Sequence, residues 1–83
     1  MNEVNLTKAK VKERKLGREQ AFGQYYDGLV EIDPRLESKE YLDTLIHEML
    51  HHHFPELSES EVLTIATCMA NQIWAKNYRR LAK

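Results

Sequence analysis

The spacing of apolar residues changes along this chain, and each change marks an element. Ala21-Phe22-Gly23-Gln24-Tyr25-Tyr26 is aromatic and strand-like, Asp27-Gly28 is a dipeptide that favours a type I′ turn, and Leu29-Val30-Glu31-Ile32-Asp33 alternates with period two. These residues predict a β-hairpin. Pro34 blocks continuation of the ladder. Ser38 then reads as the N-cap of a helix whose body is Tyr41 to His53. At about 100° per residue, Leu42, Leu45, Ile46, Met49, Leu50 and His53 share one broad face, while Thr44 and His51 fall close to His47 on another. Phe54-Pro55 ends this helix, since proline disfavours helical geometry in the residue before it. Ser58, three residues before Glu61, is a capping-box pattern and starts a second helix running to about Arg80. Its stripe is Val62, Ile65, Ala66, Met69, Ala70, Ile73 and Trp74, with basic residues in the last turns, where they complement the helix dipole. Val4 to Leu16 alternates weakly among lysines and is compatible with a strand, a helix or an arm. The expected class is α+β: a short antiparallel hairpin or small sheet followed by two packed helices.

At 83 residues, 42% apolar and 30% charged, the chain is sized for one domain of ordinary globular composition. A domain this small buries only about 60% of its unfolded surface, so a metal or a second copy would add stability. A homodimer is therefore an expectation. Cys68 is the single cysteine, which excludes an internal disulfide framework and a multi-cysteine zinc finger and suits a reducing, cytoplasmic compartment. It lies off the main apolar stripe and reads as an inert thiol. No apolar run approaches the roughly 18 residues of a membrane span, and residues 1–16 lack the apolar core of a signal peptide. The expectation is a soluble protein.

Net charge is −1, but the charges are sorted. Residues 1–18 carry six Lys or Arg and two Glu; residues 19–61 carry two and eleven acids; residues 62–83 carry four and no acid. The acidic middle holds all four histidines. Its potential attracts a divalent cation or a basic polypeptide and disfavours a nucleic-acid backbone at the same place. The basic ends read as solvated surface.

Within that segment stands His47-Glu48-Met49-Leu50-His51. Two histidines four residues apart on a helix share a face and can hold one metal, with the glutamate beside it as a base. A catalytic zinc takes a third protein ligand and keeps one position open. The carboxylates nearby are Glu56, Glu59 and Glu61; Glu59, three residues before Val62, projects into the apolar stripe, where an acid is costly unless it is paired or metal-bound. The projection thus favours Glu59, while Glu61 suits the cap. Glu59 is also an acid in a first helical turn, where the dipole alone would favour it. Zinc (Zn2+) in such a set lowers the pKa of a coordinated water to about 7, and Glu48 is placed to take that proton and pass it to a leaving nitrogen. The expected reaction is hydrolysis of a peptide or protein substrate, with the strand Leu29 to Asp33 pairing the extended substrate by edge addition. For the oxyanion, Tyr25, Tyr26, His52 and Tyr78 are all candidates, and spacing singles out none. His53 reads as a core or interface residue and His52 as a boundary one; Met69 and Trp74 read as core.

Thr44 to His51, the preceding Gly28 to Asp33 strand, and Glu59 with Val62, Ile65 and Ala66 resemble the zincin metallopeptidases of gluzincin type. The last set is similar to the E-x-x-A-x-x-F-A pattern of the phage-associated ImmA/IrrE metallopeptidases, with Val62 and Ile65 replacing the alanine and phenylalanine. The likeness covers about residues 20–75, with a shorter gap from His51 to Glu59 than is typical and no subdomain for a far cleft wall. It implies a minimal zincin-like domain spanning 1–83, with 1–18 a basic strand or arm, that binds zinc and cleaves peptide bonds. The competing expectation is a non-catalytic binding or regulatory module, fixed by zinc or metal-free, whose acidic surface meets a partner.

Overall fold

A computed structural model of the chain describes residues 3–17 and 21–81. Three short strands, β1 (Lys10–Glu13), β2 (Gly23–Tyr26) and β3 (Leu29–Ile32), precede two helices, α1 (Ser38–His53) and α2 (Glu59–Ala75). The small sheet followed by two packed helices has the α+β form that the pattern predicts. β3 lies in the middle, antiparallel to β2 and parallel to β1.

Asp27 and Gly28 both take positive φ, 48° and 78°, between the paired residues Tyr26 and Leu29. Two successive left-handed residues are what a type I′ turn requires, and their twist matches that of the flanking strands. The weakly alternating segment resolves into β1, in register Lys10 to Leu29 and Glu13 to Ile32. Ala9 and Leu16 flank it as buried anchors. Its lysines Lys10 and Lys12 are exposed, as befits an edge strand.

α1 is the middle layer. Its Tyr41, Leu45 and Met49 pack on Val30 and Ile32 of the sheet, and its Ile46 and Leu50 pack on Val62 and Ala66 of α2. The broad apolar face read from the sequence is thus two contact surfaces side by side. Packing of α2 is to α1 alone among the elements. Its seam is accordingly narrow, Val62, Ala66 and Ala70, leaving Ile65 and Met69 more than a third exposed and Trp74 half-buried. Met69 is therefore not the core residue expected.

The helix ends depart from expectation in two of four places; α1 ends at His53 with Phe54 as its C-cap, as Phe54-Pro55 implies. Ser58 and Glu61 form the reciprocal box, Glu61 N donating to Ser58 Oγ at 3.1 Å and Ser58 N to Glu61 Oε1 at 2.9 Å. Ser38, however, is not an N-cap. The extended capping position is Glu37, without a side-chain cap, and Ser38 sits at φ 56° in the first helical turn. A cap needs an extended backbone to aim its hydroxyl at the exposed amides, and Ser38 lacks it. α2 also stops at Ala75 rather than near Arg80. Asn77 at φ 67° closes it, with Asn77 N donating to Trp74 O and Tyr78 N to Ile73 O, a Schellman arrangement. The basic residues lie beyond the last turn instead of within it. Arg79 folds back to donate to Trp74 O at 2.7 Å with its guanidinium over the Trp74 ring, and Arg80 reaches Glu13 at 2.7 Å. No helix among the described residues is long and apolar enough to cross a membrane.

Candidate metal centre

The side of α1 that avoids both apolar contacts carries Thr44, His47 and His51, and it opens into a cleft between β2 and the first turn of α2. There the three expected ligands meet. His47 Nε2 donates to Glu59 Oε1 at 2.7 Å and His51 Nε2 lies 2.9 Å from Glu59 Oε2, with the two rings 5.0 Å apart edge to face. One ligating atom from each residue lies within 4.8 Å of the other two. Glu59 reaches this place by a route other than the one expected. Its side chain is 71% exposed, so it stands outside the buried seam and not on it. The connection Phe54 to Ser58 is short, so the first turn of α2 begins beside His51, and the carboxylate reaches back across the gap. Glu61 is occupied by the cap. Glu56 is exposed and is not part of the cluster.

Two imidazole nitrogens and one carboxylate oxygen are a set that zinc takes, and their convergence fits a single ion. Glu48 is the fourth member. It is nine-tenths buried, lines the cleft beside His47, and has no hydrogen-bond partner among the described residues. Burial pushes its carboxyl above the usual carboxylate range; the positive potential of His47 and His51 opposes that shift, and Glu59 adds to it. Among the described residues no buried side-chain oxygen lacks a partner, so the Glu48 carboxylate opens on the cleft, where it can meet a water or substrate proton.

Comparison with protein-family models, curated proteins and solved structures finds no match for this chain.

Several neighbours were not legible in the sequence. Gly23 is one. A Cβ there would lie 2.4 Å from Thr44 Cγ2 and 3.3 Å from Glu48 Cγ and Oε2, so the missing side chain lets α1 approach β2. A glycine inside an otherwise aromatic strand is the signal that could have found it. Phe22, Leu36 and Leu63 also face the cleft, from three separate segments.

His52 and His53 exchange their expected places. His52 is the buried one, its Nε2 donating to Thr7 O at 2.8 Å and its Nδ1 2.9 Å from Tyr25 Oη. A carbonyl only accepts, so Nε2 carries a hydrogen, and Nδ1 shares a hydrogen bond with the Tyr25 hydroxyl. His53 is half-buried, with Nδ1 2.6 Å from Asn5 O. Both rings clamp the N-terminal segment onto the end of α1. Of the oxyanion candidates, Tyr25 lines the cleft but has its hydroxyl hydrogen-bonded to His52, Tyr26 donates to Glu31 at 3.2 Å, and Tyr78 is 71% exposed. The strand expected to pair with substrate is corrected too. β3 is hydrogen-bonded on both sides, and the edge strand that borders the cleft is β2.

Proposed function

We propose that the chain is a small zinc-dependent metallopeptidase of the gluzincin type, acting on a peptide or protein substrate in the cytoplasm. The observation that carries this reading is the convergence of His47, His51 and Glu59 beside an unpartnered, buried Glu48. His47, His51 and Glu59 would hold the metal, in place of the contacts that join them. Bound there, zinc would supply a Lewis acid for the scissile carbonyl and make water acidic enough to deprotonate near neutral pH.

The chain's own groups do the rest. Glu48, lifted by burial toward the working range of a base, takes the proton of the attacking water and returns it to the amine nitrogen as the peptide bond breaks. β2 presents its open edge to an extended substrate. Gly23 keeps the strand close enough to α1 for a bond held on that edge to reach Glu48. Packing of Met49 and Leu50 against opposite layers fixes the rotation of α1, and so the direction of both histidines.

One observation favours a second reading, a non-catalytic module. Glu59 reaches both rings at hydrogen-bonding distance, and contacts of that kind suffice to join two helices. Substitution of Glu48 separates the two. Glu48→Gln should retain stoichiometric zinc by elemental analysis and lose at least about a hundredfold in turnover of a cleavable peptide, the range a positioned base contributes. Zinc-free wild type, or turnover unchanged by the substitution, overturns the peptidase reading.

A further inference from the structure

Beside the histidines the cleft widens into a lobe of about 520 Å³, bounded by Phe22, Leu36 and Leu63 and by the carboxylates of Glu40, Asp43 and Glu48. Among the described residues no Lys or Arg lines it. Glu40 and Asp43 stand one turn apart on α1. Asp43 is held by Thr67 of α2, whose hydroxyl donates to Oδ2 at 3.1 Å, while Glu40 has no hydrogen-bond partner among the described residues. Phe22 is 62% exposed and Leu63 57%, two large apolar side chains left open on either side of the acids. The nine-tenths buried, unpartnered carboxylate of Glu48 faces the same space.

A bare divalent ion would use the carboxylates and leave the apolar walls without purpose. An apolar side chain would use the walls and bury charges against hydrocarbon, which is costly. A side chain with an aliphatic stem and a cationic head uses both: its methylenes lie on Phe22, Leu36 and Leu63, and its head sits between Glu40 and Asp43. An arginine would in addition lie against the exposed Phe22 ring. We propose that this lobe is a specificity pocket for an arginine or lysine side chain of a peptide lying extended along β2. This inference rests on the peptidase reading for the direction of the peptide, but binding can be measured without cleavage.

The test uses dye-labelled alanine hexapeptides with one central arginine, norleucine or glutamate, titrated into the wild-type protein and followed by fluorescence anisotropy. Each peptide is weighed by mass spectrometry afterwards, so that cleavage is scored separately. The arginine peptide should bind about tenfold or more tighter than the norleucine peptide, as expected for a charge-assisted contact to a fixed carboxylate. The glutamate peptide should bind weakest, and added salt should narrow the spread. Glu40→Gln combined with Asp43→Asn keeps the shapes and the Thr67 acceptor; it should bring the arginine peptide to the level of norleucine and leave norleucine unchanged. Equal binding of arginine and norleucine, no binding of any peptide, or a preference that survives in the double variant overturns the pocket. An arginine preference with every peptide intact and no zinc in the protein would leave the pocket standing and remove the peptidase reading. Cleavage without preference would do the reverse.

Discussion

At Glu59 one carboxylate stands within reach of two imidazoles. Its oxygens lie 2.7 Å from His47 Nε2 and 2.9 Å from His51 Nε2, the same atoms that would bind zinc, so metal uptake has to replace both contacts. Glu59→Ala should weaken zinc binding by more than about a hundredfold, beyond what losing a supporting hydrogen bond costs. Glu61→Ala should leave the affinity as it is while lowering the melting temperature, because Ser58 N loses its partner at the start of α2. Zinc titrations showing equal loss in both variants would remove Glu59 from the ligand set. Glu59 was legible by its distance from Val62, yet the burial argument attached to it fails, since the side chain is largely exposed. His52 shows the opposite case. Helix periodicity places it at a boundary, and only the presence of Tyr25 and the Thr7 carbonyl makes it the buried, doubly bonded ring.

Between elements, the contact that sets the cleft is α1 against β2. Gly23→Ala puts a methyl 2.4 Å from Thr44 Cγ2, closer than side-chain carbons approach, so the helix or the strand has to move. Overpacking of this kind costs about 1–3 kcal/mol, and here the displaced neighbours include Glu48. The variant should melt lower and turn over peptide more slowly than wild type. Adding Thr44→Ser removes the obstructing methyl and should recover much of the loss, a coupling that a double-mutant cycle reads directly. If the single variant melts like wild type, β2 does not depend on this approach. The element ends divide in the same way. Asp27-Gly28 and the box of Ser58 with Glu61 announce themselves because each is a local geometry. Asn77 carried a local signal too, a residue tolerant of positive φ after an apolar stripe, and it ends α2 where the basic tail had suggested continuation. Ser38 looked like a cap and is not one, because the path from Pro34 into α1 decides its backbone.

Across the whole molecule, two buried acids join segments far apart in sequence. Asp33 is fully buried and accepts from the Arg35 side chain, from Leu16 N at 3.0 Å and from Arg35 N at 3.0 Å; the Arg35 guanidinium does most to hold its carboxyl far below the usual range, with Leu16 N next. Glu31 accepts from Arg14 and Gln24, each at 2.7 Å, and from Tyr26; it too is lowered, chiefly by Arg14 and then by Gln24, against the opposing effect of burial. Both bind protons less readily folded than unfolded. Their contribution is therefore complete above the ordinary carboxylate pKa of about 4 and is lost as the pH falls below it. Urea unfolding should show stability at pH 7 well above that at pH 3, and Asp33→Asn should flatten this dependence while lowering stability at pH 7. A variant with the wild-type slope would show that Asp33 is not the linkage. The sequence by itself determined the hairpin, the two helices, the histidine spacing and the acidic middle, because each follows from dihedral preference, periodicity or charge within a few residues. Tertiary structure alone decided that β3 is central and β2 the open edge, that Glu59 reaches both rings from outside the core, and that Phe22, Leu36 and Leu63 share a wall with Glu40 and Asp43. Those relations depend on how separate elements stack, and no local spacing encodes the distance between two elements before they pack.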